Sequence, residues 1–323
     1  MPHLAVWLAI IALATAVATW TARRYALRGN LMDQPGERRS HQIATPRGGG
    51  IAIVLTVLAA AFYLMSRQPA VEPLWVGFLS GLLVVAGIGW WDDHRPLSPW
   101  LRLAVQGVAA MLLATGVVLQ TGDWLPAMVA FVAAMVLVNV WNFMDGINGL
   151  AVSQAGMAAA AYAMLLTGDW RWMALTVAAA CLGFLPFNFP RARIFLGDVG
   201  SGALGFMLAG LATTTLLAVP PSAAPLLMLP LSVFLVDAGF TLLRRILRRE
   251  QWWTPHVTHL YQIAARRLGH GAVTMTYAAS SGVTLSLMLA WPPFTLGQSV
   301  RVVVMVYLIV SLGWFALRRG LRE

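Results

Sequence analysis

Lysine is absent from these 323 residues, so all 22 cationic side chains are arginine. Charged residues of both signs make up only 11% of the chain, against 59% hydrophobic. A water-soluble globule cannot cover its surface with so little charge, so that class is excluded and the chain belongs in a membrane. Cysteine is nearly missing too. The one thiol, Cys181 in AAACLGFLPF, rules out a disulfide framework and a metal-thiolate site, and it reads as packing. The formal charge of +10 would suit nucleic acid, but the arginines fall between apolar runs, so no nucleic-acid role is read from it.

What is present is apolar sequence in blocks. Windows of about 20 residues, enough to cross a hydrocarbon core of roughly 30 Å, predict an all-α polytopic membrane protein. Eleven transmembrane helices are expected, near 4–22, 48–65, 74–91, 100–119, 124–141, 148–166, 171–187, 201–219, 225–246, 271–291 and 299–317. Two divisions, around Gly122 and Gly168, consist only of TGDW, whose aspartate and tryptophan suit a tight turn at the outer interface. Arg23, Arg24 and Arg28 follow the first span instead of preceding it, so it is expected to stay as a helix and not act as a cleaved signal.

With this count, loops 23–47, 92–99, 142–147, 188–200 and 247–270 and the tail from Arg318 share one face, which carries 19 of the 22 arginines. Arg67, Arg171 and Arg301 lie on the other. The positive-inside rule then places the amino terminus outside and the carboxyl terminus in the cytoplasm. Residues 1–323 read as a single transmembrane domain with its polar motifs on the cytoplasmic side.

Those motifs are acidic. Asp92 and Asp93 in WWDDHRPLS, Asp145 in NFMDGINGL and Asp198 in IFLGDVGSG all sit at the ends of apolar runs. Adjacent carboxylates repel unless a cation or proton intervenes. Mg²⁺ takes one or two carboxylates and completes its octahedron with water and phosphate oxygens. A solvated pair capping the next helix is the plain alternative for Asp92 and Asp93. Asn139, Asn142, Asp145 and Asn148 recur at every third position, predicting a polar stripe on one helix, which is costly to bury unless it binds something or glues helices together.

Three further segments complete the face. In DQPGERRSHQIATPRGGG, His41 and Arg47 precede a glycine run at a helix entry, where free amides suit anions. In NFPRARIFLGDVGSG, Asn188, Arg191, Arg193 and Phe195 precede Asp198 and a new helix, a set suited to a diphosphate ester and a stacked base. In WWTPHVTHLYQIAARRLGHG, Trp252 and Trp253 are expected at the headgroup level. There His256 and His259 suit phosphate hydrogen bonding rather than zinc, ahead of a short amphipathic helix over 259–268. Asp237, inside a span in FLVDAGFTLLRR, is expected to pair with an arginine such as Arg244.

These segments, in this order, resemble the polyprenyl-phosphate N-acetylhexosamine-1-phosphate transferases, the family that includes the initiators of O-antigen, teichoic acid and enterobacterial common antigen and phospho-N-acetylmuramoyl-pentapeptide transferase. The resemblance runs from Asp33 to about Gly271, with NFMDGINGL and FLGDVGSG its specific motifs. It implies transfer of a sugar 1-phosphate from a UDP-N-acetylhexosamine, or a 6-deoxy derivative, to undecaprenyl phosphate with release of UMP. The site would lie on the cytoplasmic face of a bacterial inner membrane, with Mg²⁺, or Mn²⁺ in its place, as cofactor.

By motif, the resemblance assigns Asp92 and Asp93 to lipid-phosphate activation and the metal, and Asp198 to the metal. It assigns Asn142 and Asp145 to the nucleotide side, and Phe195 and Asn188 to the uridine pocket. Partners implied are undecaprenyl phosphate, the UDP-sugar and the bilayer, with a homodimer left open. Two departures stand out: Asn148 where many members carry a second aspartate, and PHVTHLYQ in place of three successive histidines. The second favours an O-antigen or related surface-glycan initiator over the peptidoglycan step. A polyisoprenoid-lipid transporter is the rival from outside the enzymes, although transporters usually place ionisable groups near the midplane.

Overall fold

Each of the eleven apolar runs folds as a helical segment in the computed structural model, which describes residues 2–34, 44–67, 72–251, 253–254, 256–290 and 295–321. In order these are α1 (Pro2–Arg28), α2 (Ile51–Ser66), α3 (Pro73–His94), α4 (Pro99–Thr121), α5 (Trp124–Phe143), α6 (Leu150–Leu165), α7 (Gly168–Asn188) and α8 (Gly197–Ala218). A 3-10 turn at Ala224–Leu231 then leads into α9 (Ser232–Leu247), and the short α10 (Leu260–Leu268) precedes α11 (His270–Ala290) and α12 (Leu296–Gly320). Among the described residues nine helical segments are long and apolar enough to cross a membrane, while α2 and α6 are shorter, at 16 residues each. Their expected spans reached back into GGG and NGL, but the helices begin only after those glycines.

At its far end α1 outruns its apolar window. Its last turns carry arginines whose stems lie along the helix, with the Arg24 guanidinium 3.5 Å from the centre of the Trp20 ring. The two TGDW sequences sit at tight helix junctions, the second supplying Thr167 before α7 and the first residues of that helix. Gly122, at φ +72°, ends α4 in a left-handed conformation, and the Asp123 carboxylate accepts from Leu125 N at 2.9 Å to cap α5.

The bundle is built around α8, buried along most of its length and packed against α3, α5 and α6. Small residues in GDVGSGALGFMLAGLA permit this: a Cβ on Gly205 would lie 2.3 Å from the Leu137 carbonyl oxygen of α5. Two peripheral helices, α1 and α12, leave most of their apolar surface exposed, as lipid-facing helices do. Two short strands, β1 (Met32–Asp33) and β2 (Thr45–Pro46), pair antiparallel and tie the segment after α1 to the entry of α2. The start of α8 meets the ends of α3 and α5 at that same end of the bundle.

Candidate active site

Asp93 closes α3 and reaches the start of α8. Its two carboxylate oxygens accept from Asp198 N at 3.0 Å and Val199 N at 3.1 Å, so it caps α8 from another helix. The sequence suggested that this helix start would offer free amides to an anionic ligand; these two are already spent on Asp93. Gly197 makes the approach possible, since its φ is +76° and a Cβ there would sit 2.6 Å from the Asp93 carboxylate. The glycine run before α2 is used in the same way. Gly49 N donates to Phe195 O at 2.9 Å and Gly50 N to Leu196 O at 2.7 Å, so those amides clamp the 195–196 backbone and are not free for phosphate.

Asp92, one residue earlier, points elsewhere. It accepts from Leu97 N at 2.6 Å and from Arg102 Nη1 at 2.9 Å. Arg102 also lies 3.9 Å from Asp198, so one guanidinium on α4 links the two carboxylates. The Asp198 carboxylate accepts from the Asn142 amide of α5, which also donates to Ser201 Oγ at 3.1 Å. Arg47 donates to the backbone carbonyl of Asp93 and keeps its buried Nε without a partner.

The expected polar stripe does not stay on one helix. α5 stops at Phe143, and Asp145 and Asn148 lie on the turn that follows, with Gly149 at φ +76°. Asn139 remains helical and donates to Gln106 Oε1 at 2.9 Å, a link between α5 and α4 outside the cavity. The Asn148 side chain donates to Pro190 O at 3.0 Å and its backbone carbonyl accepts from Thr274 Oγ1 of α11 at 2.8 Å, so the turn is tied to the neighbouring loop and to α11. Asn188 behaves similarly. Its side chain accepts from Gly149 N at 2.7 Å and donates to Ile194 O at 3.0 Å, committing the amide to the loop scaffold although it borders the cavity.

The last wall comes from the segment before α10 and from α10 itself. The His256 and His259 rings stack with centroids 4.9 Å apart, and Tyr261 donates to Phe143 O at 2.9 Å. Gly146 allows that contact, because a Cβ there would lie 2.2 Å from the Tyr261 hydroxyl. Asp237 corrects the sequence expectation of an arginine partner. It accepts from Leu260 N (2.8 Å), Tyr261 N (3.1 Å), Tyr277 Oη (2.8 Å), Trp314 Nε1 (2.9 Å) and Thr241 Oγ1 (3.3 Å). A buried carboxylate on α9 is thereby satisfied by helix-start amides and side-chain donors.

These parts enclose a cavity of about 540 Å³. Of the residues expected from sequence, Asp93, Asp198, Asn142, Asp145, Asn188, Phe195, His256, His259 and Arg47 line it. Asp92 stands behind Arg102. The Arg191 and Arg193 side chains are exposed on the outside of their loop, where the backbone turns them away; Arg193 contributes its carbonyl, which accepts from Arg23 Nε at 3.1 Å. His41 and Trp252 lie outside the described residues. Trp253, expected as a headgroup anchor, borders the cavity beside Trp100, ring centroids 6.0 Å apart.

Sequence reasoning missed Arg102, Asp33, Ser201, Tyr261 and Gln262, all of which line the cavity. Arg102 had a signal: a carboxylate pair at a membrane boundary demands a cation, and the first turn of α4 offers one.

Electrostatics crowd negative charge here. Burial, and then Asp198, Asp93 and Asp33, push the Asp145 carboxyl up to about 8. The histidines move the other way. Burial, with His259 and Arg245 nearby, lowers His256 to about 4, and burial also lowers His259, so both rings are neutral at pH 7 and supply hydrogen bonds rather than charge. Among the described residues no three His, Cys, Asp or Glu side chains form a metal-ligating group. Mg²⁺ needs only one or two carboxylates when phosphates and water fill its remaining positions, so Asp198 with Asp93 fits that donor set.

The glycosyl transferase family 4 model matches residues 75–216, which hold Asp92, Asp93, Asp145 and Asp198. A decaprenyl-phosphate N-acetylglucosaminephosphotransferase of Mycobacterium leprae is 30% identical over 312 residues, covering 81% of this chain and 78% of the relative. Its Mycobacterium tuberculosis counterpart is 33% identical over 244 residues, covering 64% of this chain and 60% of the relative's length. A phospho-N-acetylmuramoyl-pentapeptide-transferase of Moorella thermoacetica is 35% identical over 246 residues, covering 65% of this chain and 75% of the relative. The family match, the coverage of the relatives and the convergence of the four aspartates on one end of a helical bundle lead to one assignment: this chain belongs to glycosyl transferase family 4.

Proposed function

We propose that this protein transfers a sugar 1-phosphate from a UDP-N-acetylhexosamine to undecaprenyl phosphate, releasing UMP and leaving a lipid-diphosphate-linked sugar. The observation that carries the reading is the meeting of Asp93, Asp145, Asp198, Arg47 and Arg102 in one cavity at the end of an apolar bundle. Few ligands other than a diphosphate with a divalent cation would suit such mixed charge beside a lipid phase. The names of the mycobacterial relatives support a polyprenyl phosphate acceptor and an N-acetylglucosamine donor. Orientation by the arginine bias would set the cavity on the cytoplasmic face of a bacterial inner membrane, where UDP-sugars are made.

In this reaction an oxygen of the lipid phosphate attacks the β-phosphorus of the UDP-sugar. The bond from that phosphorus to the bridging oxygen breaks, and UMP leaves with that oxygen. A cation held by Asp198 and Asp93 would supply charge neutralisation for the diphosphate. Asn142 orients the Asp198 carboxylate, and Asp93 is fixed by the α8 amides, so neither rotates away when phosphate enters. Arg47 lines the cavity with its guanidinium anchored on the Asp93 carbonyl, which places its charge beside an entering phosphate. Tyr261, Gln262 and the two neutral histidines offer hydrogen bonds to the uncharged part of the donor. We assign the product to O-antigen or a related surface glycan because the last loop departs from the peptidoglycan pattern.

The test is incubation of purified protein with undecaprenyl phosphate, Mg²⁺ and a panel of UDP-sugars, including UDP-N-acetylglucosamine and UDP-N-acetylmuramoyl-pentapeptide. UMP release with an N-acetylhexosamine donor is expected. Release only with the muramoyl-pentapeptide donor would move the protein to the peptidoglycan step, and silence with every donor would overturn the transferase reading.

A further inference from the structure

Nothing in the proposed reaction uses Asp237, yet it is 1% exposed and accepts five hydrogen bonds. A lone carboxylate in a low-dielectric interior costs several kcal/mol, on the order of the effective penalty per buried ion. Keeping one here has a consequence for the neighbouring elements. The donors come from α10 (Leu260 N and Tyr261 N), α11 (Tyr277) and α12 (Trp314), three elements that pack on α9. The two amides belong to the residues directly after His259, and Tyr261 and Gln262 face the cavity from the same turn. At nine residues, α10 is too short to hold its own geometry, because isolated helices under about 12 residues are marginal. Among the described residues its other hydrogen-bonded tethers are Tyr261 Oη to Phe143 O at 2.9 Å, Arg318 Nη1 of α12 to Thr258 O at 2.9 Å and Arg267 Nη1 to Gly320 O of α12 at 3.5 Å, beside its own capping box, in which Gln262 Oε1 accepts from His259 N at 3.3 Å.

We propose that Asp237 is a positioning residue. By gathering the first amides of α10, the Tyr277 hydroxyl and the Trp314 indole onto one buried carboxylate, it fixes the His256–Gln262 wall against the turn that carries Asp145. The inference rests on the transferase reading for its kinetic part. Its effect should fall on the sugar-nucleotide donor and not on the lipid acceptor, because the wall it holds is made of neutral hydrogen-bonding groups and not of the carboxylate centre. Asp237→Asn places an NH₂ where Oδ2 accepts from Tyr261 N, so donor faces donor at the helix start. Trp314→Phe removes a single donor and leaves the carboxylate intact.

The experiment uses the full-length protein in nanodiscs, with amide exchange over 259–268 and steady-state UMP release measured while UDP-N-acetylglucosamine and undecaprenyl phosphate are varied separately. For Asp237→Asn we expect exchange over 259–268 to rise about tenfold and the donor KM to rise by a similar factor, with kcat and the lipid KM within about threefold. Trp314→Phe should move exchange and donor KM the same way by about threefold, and Asp237→Glu should recover part of the loss. Equal losses in kcat and both KM values would make Asp237 a general structural support and overturn the proposal, as would unchanged exchange in both variants. If Asp237→Asn fails to fold, Trp314→Phe alone decides on the same readouts. Should the wild-type protein release UMP from no donor, the transferase reading falls, and the exchange measurement still decides whether Asp237 holds α10.

Discussion

Asp93 on α3 and Asp237 on α9 are both buried, and each accepts from two successive amides at the start of a neighbouring helix. They differ in what else reaches them. Tyr277, Trp314 and Thr241 take up the remaining capacity of Asp237, and its surroundings are closed. No side-chain donor occupies Asp93 among the described residues, and it opens on a cavity with Asp145 and Asp198 as neighbours. One capping geometry therefore yields a structural seat in one place and a chemically available carboxylate in the other. Saturation by donors separates the two roles.

Breaking the open side should have the largest effect. Asp198→Asn removes charge without removing a helix cap, so UMP release should fall by about 10²–10³-fold, the scale of losing one electrostatic stabiliser, with the thermal midpoint unchanged. Asp93→Asn should lose as much transfer and also lose stability by about 1–2 kcal/mol, since an amide side chain cannot accept from both α8 amides. A normal midpoint for Asp93→Asn in a thermal scan would show that the cap is not contributing. Arg102→Gln should reduce transfer by about tenfold or more, because Asp92 and Asp198 would then face each other without a shared cation; a kinetic constant equal to wild type would remove Arg102 from the site.

Smaller changes probe the closed side. Gly146→Ala puts a methyl 2.2 Å from the Tyr261 hydroxyl and should cost about 1–3 kcal/mol as α10 shifts, read as a lowered midpoint with weaker donor binding. The smallest effect concerns pH. His256 titrates near 4 when folded against 6.5 ordinarily, so the unfolded chain takes up this proton first. Its contribution to stability is complete above pH 6.5 and is lost as pH falls towards 4. A midpoint-versus-pH series should therefore fall less steeply over this window for His256→Gln than for wild type.

Much of the molecule was legible in the sequence because the lipid phase imposes strict rules. Apolar length marked the helical segments, nine of which, among the described residues, are long and apolar enough to cross a membrane, and the first TGDW marked a turn, where Gly122 and the capping Asp123 leave few conformations. Of the carboxylates at run ends, Asp93, Asp145 and Asp198 line the cavity. What the sequence hid was pairing across helices. Nothing local distinguishes Asp92, tied to Arg102, from Asp93, seated on α8, because the choice depends on which way the last turn of α3 faces. The glycine run before α2 and the start of α8 each looked like an anion site, and each was already satisfied, by the 195–196 backbone and by Asp93. Arg191 and Arg193 carried suitable charge in a suitable motif and still turned outward.

On the proposed reaction, these separate carboxylates should serve one divalent cation together with a diphosphate. Mn²⁺ binding, followed by electron paramagnetic resonance in the purified protein with and without UDP-N-acetylglucosamine, tests it most directly. One Mn²⁺ per chain is expected, bound more tightly when the sugar nucleotide is present and lost in Asp198→Asn. Donor-independent binding, or unchanged binding in Asp198→Asn, would contradict it.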